Sequence, residues 1–213
     1  MRYLALATDY DGTLALHGRV HDPTIRSLEK LLTTNRKLFL VTGRELDDLL
    51  NVFPHPHLFE WIVAENGLLL YKPSSTETVL LANPPSEEFI LNLRSRGIPI
   101  SVGRNIVSTV RPHEIAVLTV IRDLGLDLQV IFNKEAVMIL PSGFSKATGL
   151  LEALRKSGLS PHNIAGIGDA ENDLAMLGMV ECAGAVGNAL PAIQERADTV
   201  TDGEQGDGVV EFV

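Results

Sequence analysis

Two carboxylates, Asp9 and Asp11, close the apolar run LALAT with a single tyrosine between them, and Gly12 and Thr13 turn the chain directly afterwards. Side chains of an extended segment alternate with period two, so both acids can face the same way. A second acidic pair, Asp169 and Asp173, stands far along the chain in GDAENDLAML. Its spacing of four places the two on neighbouring turns of one face if a helix begins there. Four carboxylates meeting at one place raise one another's pKa and oppose folding unless a cation sits among them. A hard, oxygen-liganded ion such as Mg²⁺ suits them, because it takes a few carboxylates and keeps waters or phosphate oxygens in its other positions. The plainer reading, aspartates that cap turns at a solvated edge, serves for any one of them better than for all four.

A carboxylate that comes first after a strand, as Asp9 does, can attack phosphorus. Asp11, two residues on, can protonate the departing alkoxide and then deprotonate the water that cleaves the acyl phosphate. Phosphoryl transfer spreads negative charge over the non-bridging oxygens, so donors and cations must face them. The Gly12 amide, the Thr42 hydroxyl and the Gly43 amide are candidate donors, with Arg44 beside them. Lys146 supplies a point charge. Read singly, Thr42-Gly43 is a strand-to-helix turn and Lys146 a solvated helix lysine. Their order between the two acidic motifs is what gives them weight.

These residues need strand ends to hold them. Residues 3 to 9 read as a strand, HDPTIRSLEKLLTTN as a helix with Asp22 as cap and Pro23 in the first turn, and KLFLVTGR as a second strand. ELDDLLNVF then reads as a helix and EWIVAENG as a strand, and this alternation predicts an α/β fold with a parallel sheet wrapped by helices. From residue 68 to about 141 the pattern changes to hairpins and two helices, an α+β insertion whose hairpins do not suit a parallel sheet. The first rhythm resumes with a helix after SKATGL, a strand in NIAGIGD, a helix in ENDLAMLGM, a strand in ECAGAVG and a helix in ALPAIQERA. The expectation is a doubly wound, Rossmann-like core from residues 1–67 and 142–213, interrupted by an inserted α+β cap, 68–141. The last residues, DGVVEFV, are apolar where one more helix is expected to begin, which reads as a fragment of a longer protein with a further domain C-terminal to this chain.

Composition narrows the function classes. Over 213 residues, 27 acidic against 18 basic side chains give a net charge of -9, which repels nucleic acid and anionic membranes and leaves a small anion as the expected partner, held by locally placed cations. No apolar run approaches the roughly 20 residues that span a bilayer. The single cysteine, Cys182, forms no internal disulfide, and a soluble, cytoplasmic protein is expected, as monomer or homodimer. His55 and His57 lie in a proline-bounded loop without zinc spacing.

DYDGTL, VTGR, the isolated lysine of SKATGL and GDAENDLAML, in this order, resemble the four motifs of the haloacid dehalogenase superfamily of phosphohydrolases. The insertion after the second motif, with AENGLLLY just before it, resembles the Cof-type group with a C2 cap, which includes sucrose-phosphatase-like, phosphoglycolate and mannosyl-phosphoglycerate phosphatases. The resemblance implies an Mg²⁺-dependent phosphatase working through an aspartyl-phosphate. Asp9 is then nucleophile and metal ligand, and Asp11 the acid/base that also meets the metal through its backbone carbonyl. Thr42 and Lys146 hold the phosphoryl group, Asp169 ligates Mg²⁺, and Asp173 and Asn172 complete or orient that shell, with Asn172 also counted, like Gly12, Gly43 and Arg44, among the substrate-facing residues. A phosphomutase shares every motif, and a phosphoryl-accepting receiver domain shares the acidic cluster but has neither the insertion nor the GDxxND motif. In the insertion Arg94, Arg96, Arg104, Arg111 and Lys134 are candidates for a second anionic group. Tyr71, Phe89 and Phe132 are its only aromatic residues, so a small phosphorylated sugar or organic acid fits better than a nucleotide.

Overall fold

The computed structural model describes residues 3–213. Its first strands, β1 (Ala5–Thr8), β2 (Lys37–Val41) and β3 (Trp61–Ala64), carry almost no polar side chain and are buried nearly throughout, the composition of parallel strands covered on both faces. Between β1 and β2 lies α1 (Asp22–Leu32), which turns Ile25, Leu28 and Leu31 inward. His21 is its N-cap, so Asp22, expected as the cap, is the first helical residue, where its charge still meets the positive end of the helix. A shorter helix, α2 (Leu46–Val52), joins β2 towards β3.

The hairpin β4 (Leu69–Lys72) and β5 (Glu77–Leu80) corrects one expectation. Read from sequence it opens the insertion; in the structure β4 pairs antiparallel with β3, Val63 opposite Leu70, and extends the large sheet. Leu69 and Leu70 are fully buried there, so the hairpin covers core surface that an edge strand would otherwise leave wet. The separate cap lies beyond it. There α3 (Glu87–Ser95), β6 (Ser101–Val102), β7 (Val107–Val110), α4 (Glu114–Asp123), β8 (Leu128–Asn133) and β9 (Ala136–Pro141) form a four-stranded antiparallel sheet in the order β6-β7-β9-β8. Phe89, Leu93, Val107, Val117, Val120 and Ile139 make a second, smaller core between that sheet and its two helices.

The chain returns through α5 (Lys146–Lys156), whose Ser145 cap accepts from the Thr148 amide, and enters β10 (Ile164–Gly168). The helix expected over ENDLAMLGM is a 3-10 turn, Glu171–Asp173, followed by one turn of α-helix, α6 (Leu174–Leu177). The chain then runs through β11 (Cys182–Ala185), α7 (Pro191–Gln194), β12 (Thr199–Val200) and α8 (Gln205–Phe212). The terminal stretch, expected to lead into a helix beyond it, is itself α8, with Val209 fully buried in the main core and the Phe212 ring against Gly184.

The large sheet has the order β12-β11-β10-β1-β2-β3-β4-β5. From β1 the chain winds outward one way through β2 and β3, and from β10 the other way through β11 and β12, so the winding reverses between β1 and β10. Open α/β sheets bind ligands beyond the carboxyl ends of their strands at such a reversal. Asp9 follows β1 and Asp169 follows β10, one on each side of it.

After β3 the chain makes a tight turn in which Glu65, Asn66 and Gly67 all take positive φ, 51°, 56° and 100°. A Cβ on Gly67 would overlap the Ser145 carbonyl, and Gly149 of α5 packs against Gly67 with no room for a side chain. Gly67→Ala is therefore expected to lower unfolding free energy by about 3 kcal/mol, through backbone strain and overlap together, measured by urea denaturation against wild type.

Candidate active site

Lys146, the first residue of α5, is completely buried, an arrangement that a lysine tolerates only when paired. Its Nζ donates to Asp9 Oδ1 at 2.5 Å and to Asp173 Oδ1 at 2.7 Å. Burial alone would lower the lysine's pKa, but Asp173 and Asp9 outweigh it and hold the ammonium charged, above its ordinary range. One positive charge thus serves two carboxylates. Burial pushes the Asp9 carboxyl well above the usual carboxylate range, Lys146 opposes that, and the charges of Asp173 and Asp169 add to it.

The remaining oxygen of Asp173 accepts from the amides of Asp169, 3.0 Å, and Ala170, 3.1 Å. These bonds tighten the 3-10 turn and explain why no full helix forms: the side chain caps the turn instead of standing one helical turn above Asp169. Asp169 follows β10 with its side chain buried, accepting from Thr13 Oγ1 at 2.9 Å and from Lys134 Nζ at 2.5 Å. Burial raises its pKa, with the Lys134 bond opposing.

Carboxylate oxygens of Asp9, Asp169 and Asp173 all lie within 4.8 Å of one another, and all three residues are buried. Three hard oxygen donors, short of positive charge and at a strand-end crevice, fit a divalent ion of the Mg²⁺ type. Both oxygens of Asp173 are engaged by Lys146 and the turn amides, and both of Asp169 by Thr13 and Lys134, so Asp9 Oδ2 is the freest oxygen and an ion on Asp169 takes the place of the Lys134 ammonium.

Asp11 departs from the expected cluster of four carboxylates. Its side chain, about a third exposed, turns to Arg44, which donates from Nε to Oδ2 at 2.6 Å and from Nη2 to Oδ1 at 2.8 Å. The planar guanidinium matches both oxygens at once, which a solvated carboxylate at this position takes in preference to a buried acidic cluster. Arg44 also donates to Asp48 at 2.5 Å and lies over the Tyr10 ring, 5.6 Å from its centroid. The bond to Asp11, ahead of the other interactions, raises the guanidinium's affinity for its proton.

Gly12 also differs from expectation. Its amide, a candidate phosphate donor, donates to the Ala15 carbonyl at 3.0 Å and closes the turn that carries Asp11. The residue matters for another reason: at φ +84°, a Cβ would overlap the Asp169 carboxylate, so only glycine lets the two loops meet. Thr42 is buried at the end of β2, its hydroxyl accepting from the Arg44 amide at 3.1 Å, and the adjacent Gly43 packs against the Met138 side chain of the cap. Asn172 is buried and donates to Asn66 Oδ1 at 3.1 Å, while its own Oδ1 is buried with no partner and remains available to a donor.

Of the cap cations, Lys134 alone is seen on a core carboxylate of the cluster. It sits at the tip of the β8–β9 hairpin, where its backbone amide also donates to Glu171. Arg96 pairs with Asp123 within the cap, Arg104 pairs with Asp47, and Arg111 lies over the Phe132 ring. Between core and cap opens a cavity of about 550 Å³ whose walls include Arg44, Asp48, Ser101, Ser108, Thr109 and Met138, with no aromatic residue. Phe89 is sealed in the cap core instead.

Sequence reasoning passed over Thr13, Asn66 and Asn188. The first two stand inside stretches already singled out, DYDGTL and AENG, but a hydroxyl and an amide carry no charge signal. Asn188, which donates to the Gly12 carbonyl at 2.8 Å and accepts from the Gln205 amide at 2.7 Å, has no sequence signal at all.

A family profile described as haloacid dehalogenase-like hydrolase matches residues 6–102 and 129–213. The chain is 33% identical to Phosphoglycolate phosphatase 2 of Saccharolobus solfataricus, over 99% of this chain and 91% of that protein. It is 27% identical to Phosphoglycolate phosphatase of Methanoculleus marisnigri, over 98% and 94% respectively. Among solved structures, a haloacid dehalogenase-like hydrolase from Bacteroides thetaiotaomicron superposes with a TM-score of 0.82 at 20% identity, covering 99% of this chain and 98% of that one. A subclass IIB sugar phosphatase of the same superfamily superposes with a TM-score of 0.80 at 21% identity, covering 98% and 96%.

Removing Lys146 leaves two buried carboxylates facing each other. Lys146→Met is expected to cost about 3–5 kcal/mol of stability near neutral pH, and adding Asp173→Asn should return part of it, as a denaturant series on both variants would read.

Proposed function

From the premise that this chain belongs to the haloacid dehalogenase-like hydrolases and is a phosphatase, we propose that it hydrolyses a small phosphorylated organic acid, of which phosphoglycolate is the type. The observation that carries the chemistry is the buried cluster of Asp9, Asp169, Asp173 and Lys146 at the winding reversal of the sheet. Two further observations support the substrate class: the cavity between core and cap, walled by Gly43 and Arg44, lacks an aromatic platform, and a cap lysine reaches the cluster's rim.

In this reading Asp9 attacks phosphorus and becomes phosphorylated, the P–O bond to the leaving group breaks as the acyl phosphate forms, and the leaving oxygen departs into the cavity. Lys146 holds Asp9 in place and, with Thr42 and the Gly43 amide, faces the non-bridging oxygens. Asp9 and Asp169 are the residues that would hold Mg²⁺, with Asp173 orienting them from behind. When bound, the ion supplies the positive charge the cluster lacks and polarises the phosphoryl oxygens.

Asp11 moves the proton, first to the leaving oxygen and then from the water that cleaves the acyl phosphate. Arg44 also lines the cavity, so an anionic substrate group there competes for the guanidinium and releases the Asp11 carboxylate from its pair. Lys134 is the cap cation that reaches the acidic cluster itself. The protein acts in this account as a cytoplasmic monomer or homodimer. Among the described residues no helix is long and apolar enough to cross a membrane.

The relatives named above are phosphatases, which disfavours the phosphomutase alternative, and release of free phosphate separates the two. With 2-phosphoglycolate and a panel of sugar phosphates, phosphate release should be fastest for the small acid. No release from it above the sugar phosphates would overturn the substrate class. Asp9→Asn should lose at least about 10³-fold in turnover while keeping its circular dichroism spectrum, because an amide is not a nucleophile toward phosphorus. Chelation of divalent ions should stop turnover and lower the melting temperature, and Mg²⁺ should restore both, since an ion bound to the folded cluster stabilises it.

A further inference from the structure

The stretch AENG is more than the end of β3. Glu65 is a fully buried acid, held at φ +51°, with no part in the chemistry above. Its carboxylate accepts three consecutive backbone amides from the cap: Arg104 on Oε1 at 3.0 Å, and Asn105 and Ile106 on Oε2 at 2.6 and 3.2 Å. Three amides converging on one carboxylate make an anion-holding nest, here with the anion on the core and the nest on the cap.

The backbone of the same turn is tied to the site. The Glu65 amide donates to the Arg44 carbonyl at 2.9 Å and the Asn66 amide to the Thr42 carbonyl at 3.0 Å. The Asn66 side chain holds Asn172, and Gly67 lies against Ser145 and Lys146. Three residues therefore touch the loops carrying Thr42, Lys146 and Asn172, and reach across to the cap. Ile106, the last amide of the nest, is itself part of the wall of the cavity, as are Ser101 and Ser108 on the strands to either side.

We propose that Glu65 is a positioning residue, whose carboxylate sets the distance of the cap's 104–106 turn from the core and so the width of the cavity over Gly43 and Arg44. The proposal rests on the reading of that cavity as the place of the leaving group. Other ties cross the same boundary: Ser101 to Glu45 and Arg104 to Asp47 join exposed side chains that water competes for, and Lys134 reaches Asp169 from a partly exposed hairpin tip away from the 104–106 turn. Glu65 has no such competitor. Moving the turn away would leave its carboxylate buried and unpaired, which is the costly alternative.

Two variants of the full chain test it. Glu65→Gln keeps the volume but turns an NH₂ towards amide donors, and Glu65→Asp retains the charge but falls one methylene short. Amide hydrogen exchange at Arg104–Ile106 needs no substrate, and it should quicken by about tenfold or more in either folded variant. With p-nitrophenyl phosphate, KM should rise by about tenfold while kcat changes by less than about threefold, because the reacting groups stay in place and only the cavity wall loosens. Unchanged exchange would overturn the clasp. Faster exchange with unchanged KM, or a fall in kcat alone, would make the clasp structural only and overturn the positioning role. Wild-type enzyme active on p-nitrophenyl phosphate but not on 2-phosphoglycolate would sink the substrate class and leave the Glu65 comparison decisive on its own terms.

Discussion

The ammonium of Lys146, buried between Asp9 and Asp173, is the interaction on which the site depends. Three carboxylates enclosed by the ends of β1 and β10 could not share a dry crevice unaided; Lys146, buried between two of them, and Lys134, reaching the third from the cap, make that crevice possible without neutralising it. The residual negative charge is the useful part. It leaves the cluster short of positive charge, with one Asp9 oxygen outside the lysine pair. The position of Lys146 at the start of α5 is enforced in turn by the packing of Gly67 and Gly149, where the backbones of turn and helix approach too closely for side chains.

Around that centre the charges divide into two zones. The inner one, Asp9, Asp169, Asp173 and Lys146, is buried, and burial is the first cause of the raised carboxyl pKa values of Asp9 and Asp169. The outer one, Asp11, Arg44 and Asp48, is partly solvated and holds its pairs by geometry rather than by exclusion of water. Two aspartates with a single residue between them thus belong to different electrostatic environments. Gly12, just after the second of them, brings the Asp169 loop against its own backbone.

Much of this was legible from local pattern. The unbroken apolar runs of β1, β2 and β3 read correctly as buried parallel strands because a strand covered on both faces has no polar side to display. The acid pairs were legible for the opposite reason, since charges at the end of an apolar run contradict their surroundings. What misled was length and pairing. The hairpin β4–β5 looked foreign to a parallel sheet, yet an edge strand accepts an antiparallel neighbour at no cost to the strands inside it. GDAENDLAML looked like one helix until the Asp173 carboxylate took the turn's amides for itself.

By itself the sequence determined the order of elements, the α/β class, and which residue types stand at the strand ends, because those follow from period, propensity and the cost of burying charge. Only the tertiary structure decided partners. That Lys146 joins Asp9 to Asp173, that Asp11 leaves the acidic cluster for Arg44, and that Lys134 crosses from the cap to Asp169 are contacts between residues far apart in the chain. The nest around Glu65 is the clearest instance, since it is built from backbone amides, which every residue but proline carries. A group common to the whole chain leaves no mark in a sequence, and its direction exists only once the cap has folded against the core.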